Sequence, residues 1–440
     1  MSKTLRIAFV TIFLFQLLMT MGFELAHDEA YYWLYSRNLD WGYFDHPPFV
    51  GVIIRFFSFL PHSEFAVRVG FVILQFASLS LLLTLTGYSW IPFLLFFSFP
   101  LASLTGLLAL PDIPLLFMTA CYCYQLKRFL RENNFLNSIL LGFIIGLLFY
   151  AKYHGELVVF FTLVALPRLI LQKSFYIVAL SALVTFFPHF WWQYQHDFST
   201  LRYHFLERPS SSFSLKRIME FLGLQMVLAG LFAGPITWWI VLKTKTAHQF
   251  DRAMKTVSIG TVVFFLISTM TKKFEANWTI FLAVPLIYLA SPSPLWKKRW
   301  IKNLLLSSFV IVLLSRVLFL LPPGQLPVKR LKEFKGWETW VLEVESVCGT
   351  TSLIANSYQI ASKLSFYLER EINALNYHSR KNQFDYWRFD KSLPTKEVCY
   401  ITDKGDFTGI PITTPEGKKL QIVKNESLDR LWELKYSEIR

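Results

Sequence analysis

Charge is scarce in this chain and uneven in sign. Of 440 residues only 17% are charged, and 30 acidic side chains stand against 44 basic ones, a net charge of +14. So little charge excludes an ordinary soluble domain of this length, because 54% of the residues are hydrophobic and 18% aromatic. The basic excess does not point to nucleic acid. Lys and Arg fall in short clusters between apolar runs, as in cytoplasmic loops of a membrane protein, and a few of them also suit a lipid phosphate. Cysteine is nearly absent, with four residues. Cys121 and Cys123, two apart in an apolar run, face different ways on a helix and read as packing residues instead of a metal site. Cys348 and Cys399 lie in a more polar stretch and are expected to form a disulfide if that stretch is outside the cytoplasm. There is no internal repeat and no low-complexity segment.

What is present is a succession of apolar runs. The first, residues 5–23, follows Lys3 and Arg6; no small-residue cleavage site follows it, so it reads as a retained helix that starts in the cytoplasm. Further candidates are 65–85, 89–108, 113–126, 136–150, 156–171, 175–192, 218–242, 257–270, 278–290 and 304–321, about eleven crossings in all, several shorter than a straight span needs. Cytoplasmic segments on this topology hold Lys127, Arg128 and Arg131, then Arg168 and Lys173, then Lys243, Lys245, Arg252 and Lys255, then Lys297, Lys298, Arg299 and Lys302. The run 49–60 is too short to span, contains Arg55, and is bracketed by prolines, which places it along the interface. Two domains are expected: a polytopic α-helical membrane domain over 1–321 and a small α/β domain over 322–440. The latter has a helical pattern near 357–370 and strand-like pieces at 398–402 and 421–423, and the odd number of crossings puts it outside.

Polar groups then collect on one membrane face: Glu24, His27-Asp28-Glu29, Asp45-His46, Asp112, Lys152-Tyr153-His154, His196-Asp197, Arg202, Glu207-Arg208 and residues 272–277. Groups set among apolar helix ends must be paired or used. The sharpest element is His27-Asp28-Glu29-Ala30-Tyr31-Tyr32-Trp33, followed by Gly42-Tyr43-Phe44-Asp45-His46-Pro47-Pro48. It reads either as an aromatic belt with loop carboxylates or as a general base beside aromatic walls for a sugar or lipid, with His27 or His46 orienting Asp28. Asp112, flanked by Pro111 and Pro114, is a helix N-cap, a site residue, or both. Lys152, a lysine at a helix end, either snorkels to the headgroups or stabilises a leaving phosphate. Glu275 and Asn277 bind sugar hydroxyls or cap the helix starting near Trp278. Asp28, Glu29, Asp45, His46 and Asp112 offer ligands for a divalent metal, but no spacing enforces a site, and none is assigned.

These motifs, with Leu110-Pro111-Asp112-Ile113-Pro114-Leu115, Ala151-Lys152-Tyr153-His154-Gly155, Trp191-Trp192-Gln193, His196-Asp197-Phe198 and Glu275-Ala276-Asn277-Trp278, occur in an order that resembles the GT-C glycosyltransferases. Within them it is similar to the protein O-mannosyltransferase superfamily, on the bacterial branch that includes the lipid A aminoarabinose transferase. The likeness continues through Tyr358-Gln359-Ile360-Ala361-Ser362-Lys363 and Gln383-Phe384-Asp385-Tyr386-Trp387. It implies an enzyme of the bacterial inner membrane that moves a sugar from a polyprenyl-phosphate donor to a lipid, glycan or protein acceptor outside the cytoplasm, inverting the anomeric centre. Asp28 matches the proposed base. Glu29, Asp45, His46 and Asp112 match positions that shape the site, Lys152 a cationic position near the donor phosphate with Tyr153 beside it. The chain departs from the common pattern at His154, Glu156 and Ala276-Asn277, changes that bear on donor and acceptor identity. The rival readings are a transporter or flippase of a lipid-linked sugar, which Glu156 fits best, and a noncatalytic membrane scaffold.

Overall fold

Runs of Leu, Ile, Phe and Val that satisfy every backbone group internally become helices, and each of the eleven apolar runs folds mainly as helix in the computed structural model. The structure describes residues 1–203, 212–321, 329–387, 389 and 396–437; Glu207 and Arg208, expected in an outer loop, lie outside them. Among the described residues three helices are long and apolar enough to cross a membrane: Glu64–Thr86, Lys173–Gln195 and Arg299–Leu320. Two sharply bent pairs bring the number to five if each is one span, Trp90–Ser98 with Pro100–Leu107, and Leu215–Leu228 with Leu231–Lys243. The others, such as Phe135–Ala151, Gly155–Ala165 and Ala276–Ala290, are apolar but shorter. Both bends have local causes. Pro100 has no N–H to continue the first helix, and Gly230 with φ +128° opens the second.

The chain divides into two compact units, one of Met1–Leu18, His46–Val50 and Val69–Arg316, the other of Met19–Asp45, Gly51–Arg68 and Val317–Arg440. In the first, the helices Phe135–Ala151 and Lys173–Gln195 pack closely because glycines face the contact. A Cβ on Gly142 would fall 2.3 Å from the Val178 carbonyl oxygen, and one on Gly146 would fall 2.5 Å from the Thr185 Cβ. The same unit pairs its interior amides, with Gln75 donating to the Ala102 and Ser103 carbonyls and Arg316 to Ser103 Oγ at 2.8 Å.

The second unit is built on a five-stranded sheet: β1 (Ser352–Ala355), β2 (Asn373–Ala374), β3 (Glu397–Thr402), β4 (Ile410–Thr413) and β5 (Lys419–Ser427), in the order β2-β1-β3-β5-β4. β2, β1 and β3 run parallel; β3, β5 and β4 are antiparallel. Ile354, Leu375, Val398, Tyr400 and Leu431 form its core. The β4–β5 hairpin closes through Pro415-Glu416-Gly417, and Gly417 takes φ +87°, which a side chain rarely adopts. Cys348, ending the helix Trp337–Cys348, is bonded to Cys399 on β3. The expected cysteine pair is therefore joined, and Cys121 and Cys123 are free thiols.

The Asp28 motif also folds into this unit. It forms the helix His27–Arg37, which packs against the helix Tyr358–Tyr367. Tyr31, Tyr32, Trp33 and Tyr35 are buried there. Tyr31 stacks on Phe384 at 5.8 Å and Trp33 meets Phe366 edge to face at 5.3 Å. The aromatic walls expected to face a sugar or lipid are thus core side chains, because a helix with partners on several sides buries more than one face.

Candidate active site

At the head of the His27–Arg37 helix, adjacent carboxylates are used in opposite ways. Glu29 is fully buried and serves structure. Its Oε2 accepts from the Ala26 N–H at 2.8 Å, the reach-back half of a capping box, and its two oxygens take Arg68 Nε and Nη2 at 2.8 and 2.7 Å. Arg68 then donates through Nη1 to the Thr20 and Phe23 carbonyls at 3.1 and 2.7 Å, and through Nη2 to that of Glu24 at 2.7 Å. All five guanidinium N–H groups are spoken for. Glu29, expected among the residues that shape the site, is thus fully buried and held by Arg68 and its own helix end.

Asp28, one position earlier, is partly exposed. Tyr358 Oη donates to its Oδ1 at 3.2 Å. Burial, followed by the charge of Glu333, pushes its carboxyl up to about 6, against the opposing pull of His27 and the Tyr358 hydrogen bond. The orienting partner is therefore Tyr358, from a helix more than 300 residues away. His27 turns instead to Glu416, with Nε2 3.4 Å from its carboxylate, and packs on Trp337. Below Asp28, the His27 N–H donates to Glu333 at 2.7 Å. Lys363 donates to the Leu25 and Glu333 carbonyls, and burial lowers its ammonium to about 7.

Asp45 closes the same unit. Arg380 Nη2 donates to its Oδ1 at 2.7 Å and the Tyr31 hydroxyl to its Oδ2 at 2.8 Å. Burial raises its carboxyl in spite of both. The Gln383 N–H donates to Tyr31 Oη and the Gln383 side chain accepts from the Phe44 N–H, each at 2.8 Å.

In the other unit a second cluster forms on helix ends. Lys152 and Asp112 are both buried, with Nζ 2.9 Å from Oδ1. Asn277 Nδ2 donates to Asp112 Oδ2 at 3.2 Å. Asp112 is the first residue of its helix, and no side chain caps that end, so its carboxylate answers a cation and an amide instead of backbone N–H groups. Lys152 is drawn inward by this pair and does not snorkel. Tyr153 leaves the cluster: its hydroxyl meets His189 Nε2 at 2.9 Å and accepts from Gln193 at 2.8 Å. Glu275 is paired with Lys273 at 3.5 Å and caps nothing, while His154 packs on Phe265 and Trp278. His46 is partly exposed in this unit. Among the described residues no group of three or more His, Cys, Asp or Glu could hold a metal ion.

Arg68, Arg380 and Glu333 were missed by sequence reasoning. Arg68 left one signal, a lone charge inside the apolar run 65–85, which in such a setting must find a partner. Arg380 and Glu333 left none, since each meets its partner across some 300 residues.

With this geometry in hand, comparison with known proteins gives a consistent answer. Residues 45–192 match the family model for dolichyl-phosphate-mannose-protein mannosyltransferase. The lipid A galacturonosyltransferase RgtD of Rhizobium johnstonii is 26% identical over 424 residues, 88% of each chain. Two crystal structures of ArnT from Cupriavidus metallidurans share the fold. The apo form has a TM-score of 0.68 at 13% identity, covering 96% of this chain and 97% of the other; the form bound to undecaprenyl phosphate has 0.63 at 14%, covering 85% and 86%. The resemblance to GT-C glycosyltransferases of the ArnT-like branch holds along the chain.

Proposed function

We propose that this chain is a multi-pass glycosyltransferase of the bacterial inner membrane and that it transfers a sugar from a polyprenyl-phosphate carrier to an acceptor hydroxyl outside the cytoplasm. The acceptor oxygen attacks the anomeric carbon as the bond to the phosphate breaks, inverting that centre. Asp28 takes the hydroxyl proton. Lys152 stabilises the negative charge left on the departing phosphate, with Asp112 and Asn277 as positioning residues, and Asp45 and His46 shape the sugar site. Tyr153 and Glu275, on separate loops, contribute to substrate binding. The membrane domain spans 1–321 by about eleven crossings, and 322–440 is extracytoplasmic, an assignment that the Cys348–Cys399 bond favours because disulfides persist in oxidising compartments.

The observation that carries this reading is the partly exposed Asp28 carboxyl, held by Tyr358 and raised to about 6, next to a glutamate wholly committed to structure. A base poised near the working pH is what proton removal in the transition state requires. Since the relative RgtD is by name a lipid A galacturonosyltransferase, a glycolipid is the first acceptor to supply. The test is transfer in membranes given polyprenyl-phosphate sugars. Asp28→Asn should lose roughly 10²- to 10⁴-fold in rate while folding normally; undiminished transfer removes Asp28 as the base.

A further inference from the structure

We infer that the last turn of the His27–Arg37 helix and the segment 54–63 form a binding site for the phosphate headgroup of a membrane lipid. A cavity of about 210 Å³ opens there, lined by Arg37, Arg55, Ser58, His62, Trp33 and Glu369 among others. Arg37 and Arg55 are exposed, and neither guanidinium has an ion-pair partner among the described residues. Two forks of N–H donors therefore line one cavity with their hydrogen-bonding capacity unspent among the described residues, the arrangement that recognises a phosphate.

The rest of the lining is ordered. His62 Nε2 lies 3.0 Å from the Phe366 carbonyl, which can only accept, so this nitrogen carries the proton and the ring is fixed. The ring packs on Phe366 at 4.3 Å and meets Trp33 at 5.5 Å. Arg37 is held 5.8 Å over the Trp33 ring. Glu369 is the opposing charge, and it is the single carboxylate of the lining, so the cavity keeps a net positive balance without counting His62.

The choice of a lipid over a free anion comes from what surrounds Arg55. The Phe49–Phe56 helix has eight residues, about 12 Å of rise, far short of a crossing. Val52, Phe56 and Phe59 stand 43%, 70% and 74% exposed around it. In a chain with membrane-spanning helices, such side chains beside an arginine mark insertion at the headgroup level, where phosphates are. A soluble phosphate would have no use for them. Simple snorkelling accounts for one arginine at a helix end but not for two, from separate elements, lining one cavity.

Native mass spectrometry of the full chain in uncharged detergent, titrated with phosphatidic acid, phosphatidylcholine or inorganic phosphate, tests the inference. Phosphatidic acid is expected to bind in preference to phosphatidylcholine, and the Arg37→Gln/Arg55→Gln variant to lose about tenfold in that binding, on the scale of lost charge-assisted hydrogen bonds. The Arg37→Lys/Arg55→Lys variant, which keeps both charges but loses both forks, should retain only part of it. An unchanged thermal midpoint shows that the fold is intact, and the single Arg55→Gln change, at an exposed side chain, reports the same loss in smaller degree if the double variant cannot be purified. Equal lipid retention in the Gln variants overturns the site. Displacement of the lipid by inorganic phosphate at the same concentration overturns the assignment to a lipid.

Discussion

Because burial and Glu333 hold the Asp28 carboxyl near 6, its titration falls within the pH range of an enzyme assay. Transfer should rise as pH increases through about 6 and level off above it, since only the carboxylate accepts a proton. Tyr358 donates to the ionised form; Tyr358→Phe should therefore move the midpoint of the pH–rate profile upward, a shift that a purely structural tyrosine would not produce. Stability follows the opposite sense. A carboxyl raised above its unfolded value contributes stability that is fully present below about pH 4 and is lost as pH rises through about 6, so Asp28→Asn should be neutral or stabilising at pH 7. Its neighbour behaves differently. Arg68→Met would leave Glu29 buried without its cationic partner, at a cost of about 3–5 kcal/mol, read as a large fall in thermal midpoint. Only part of this contrast is legible in sequence: the Asp-Glu pair is visible, but which member is buried depends on Arg68 and Tyr358, which lie about 40 and 330 positions away.

At the scale of elements, the glycines of Phe135–Ala151 decide how closely it approaches Lys173–Gln195. Gly142→Ala forces a Cβ against the Val178 carbonyl, and overpacking of this kind costs roughly 1–3 kcal/mol, measurable as a lower midpoint in detergent. The helices themselves were legible because a long apolar run has few other ways to satisfy its backbone. The bends were not, although Pro100 and Gly230 mark them. The His27–Arg37 helix was missed for another reason. Buried on several faces, it lacks the one-sided pattern by which a helix announces itself, and its aromatic residues read equally well as an interfacial belt.

For the whole molecule, alternation and periodicity in the polar C-terminal stretch predict strand-like pieces at 398–402 and 421–423 and a helix near 357–370, and strands at 397–402 and 419–427 and a helix at 358–367 are found there. What composition could not reveal is that residues 19–45 and 51–68 share a compact unit with it, since long-range packing leaves no mark on local pattern. The Cys348–Cys399 bond encloses about fifty residues of that unit. Its reduction, or Cys399→Ser, should lower stability by roughly 2–4 kcal/mol, seen as a midpoint drop under reductant that the Ser variant no longer shows.

The Gln383 N–H that completes the Tyr31 hydroxyl is 352 positions downstream. At roughly 5–20 residues per second, a ribosome reaches it some 20 to 70 s after Tyr31 has been made. Throughout that interval a cluster of tyrosines and a tryptophan waits without its eventual cover. Nascent chains halted before this point are the ones a membrane chaperone or protease would meet with those rings exposed.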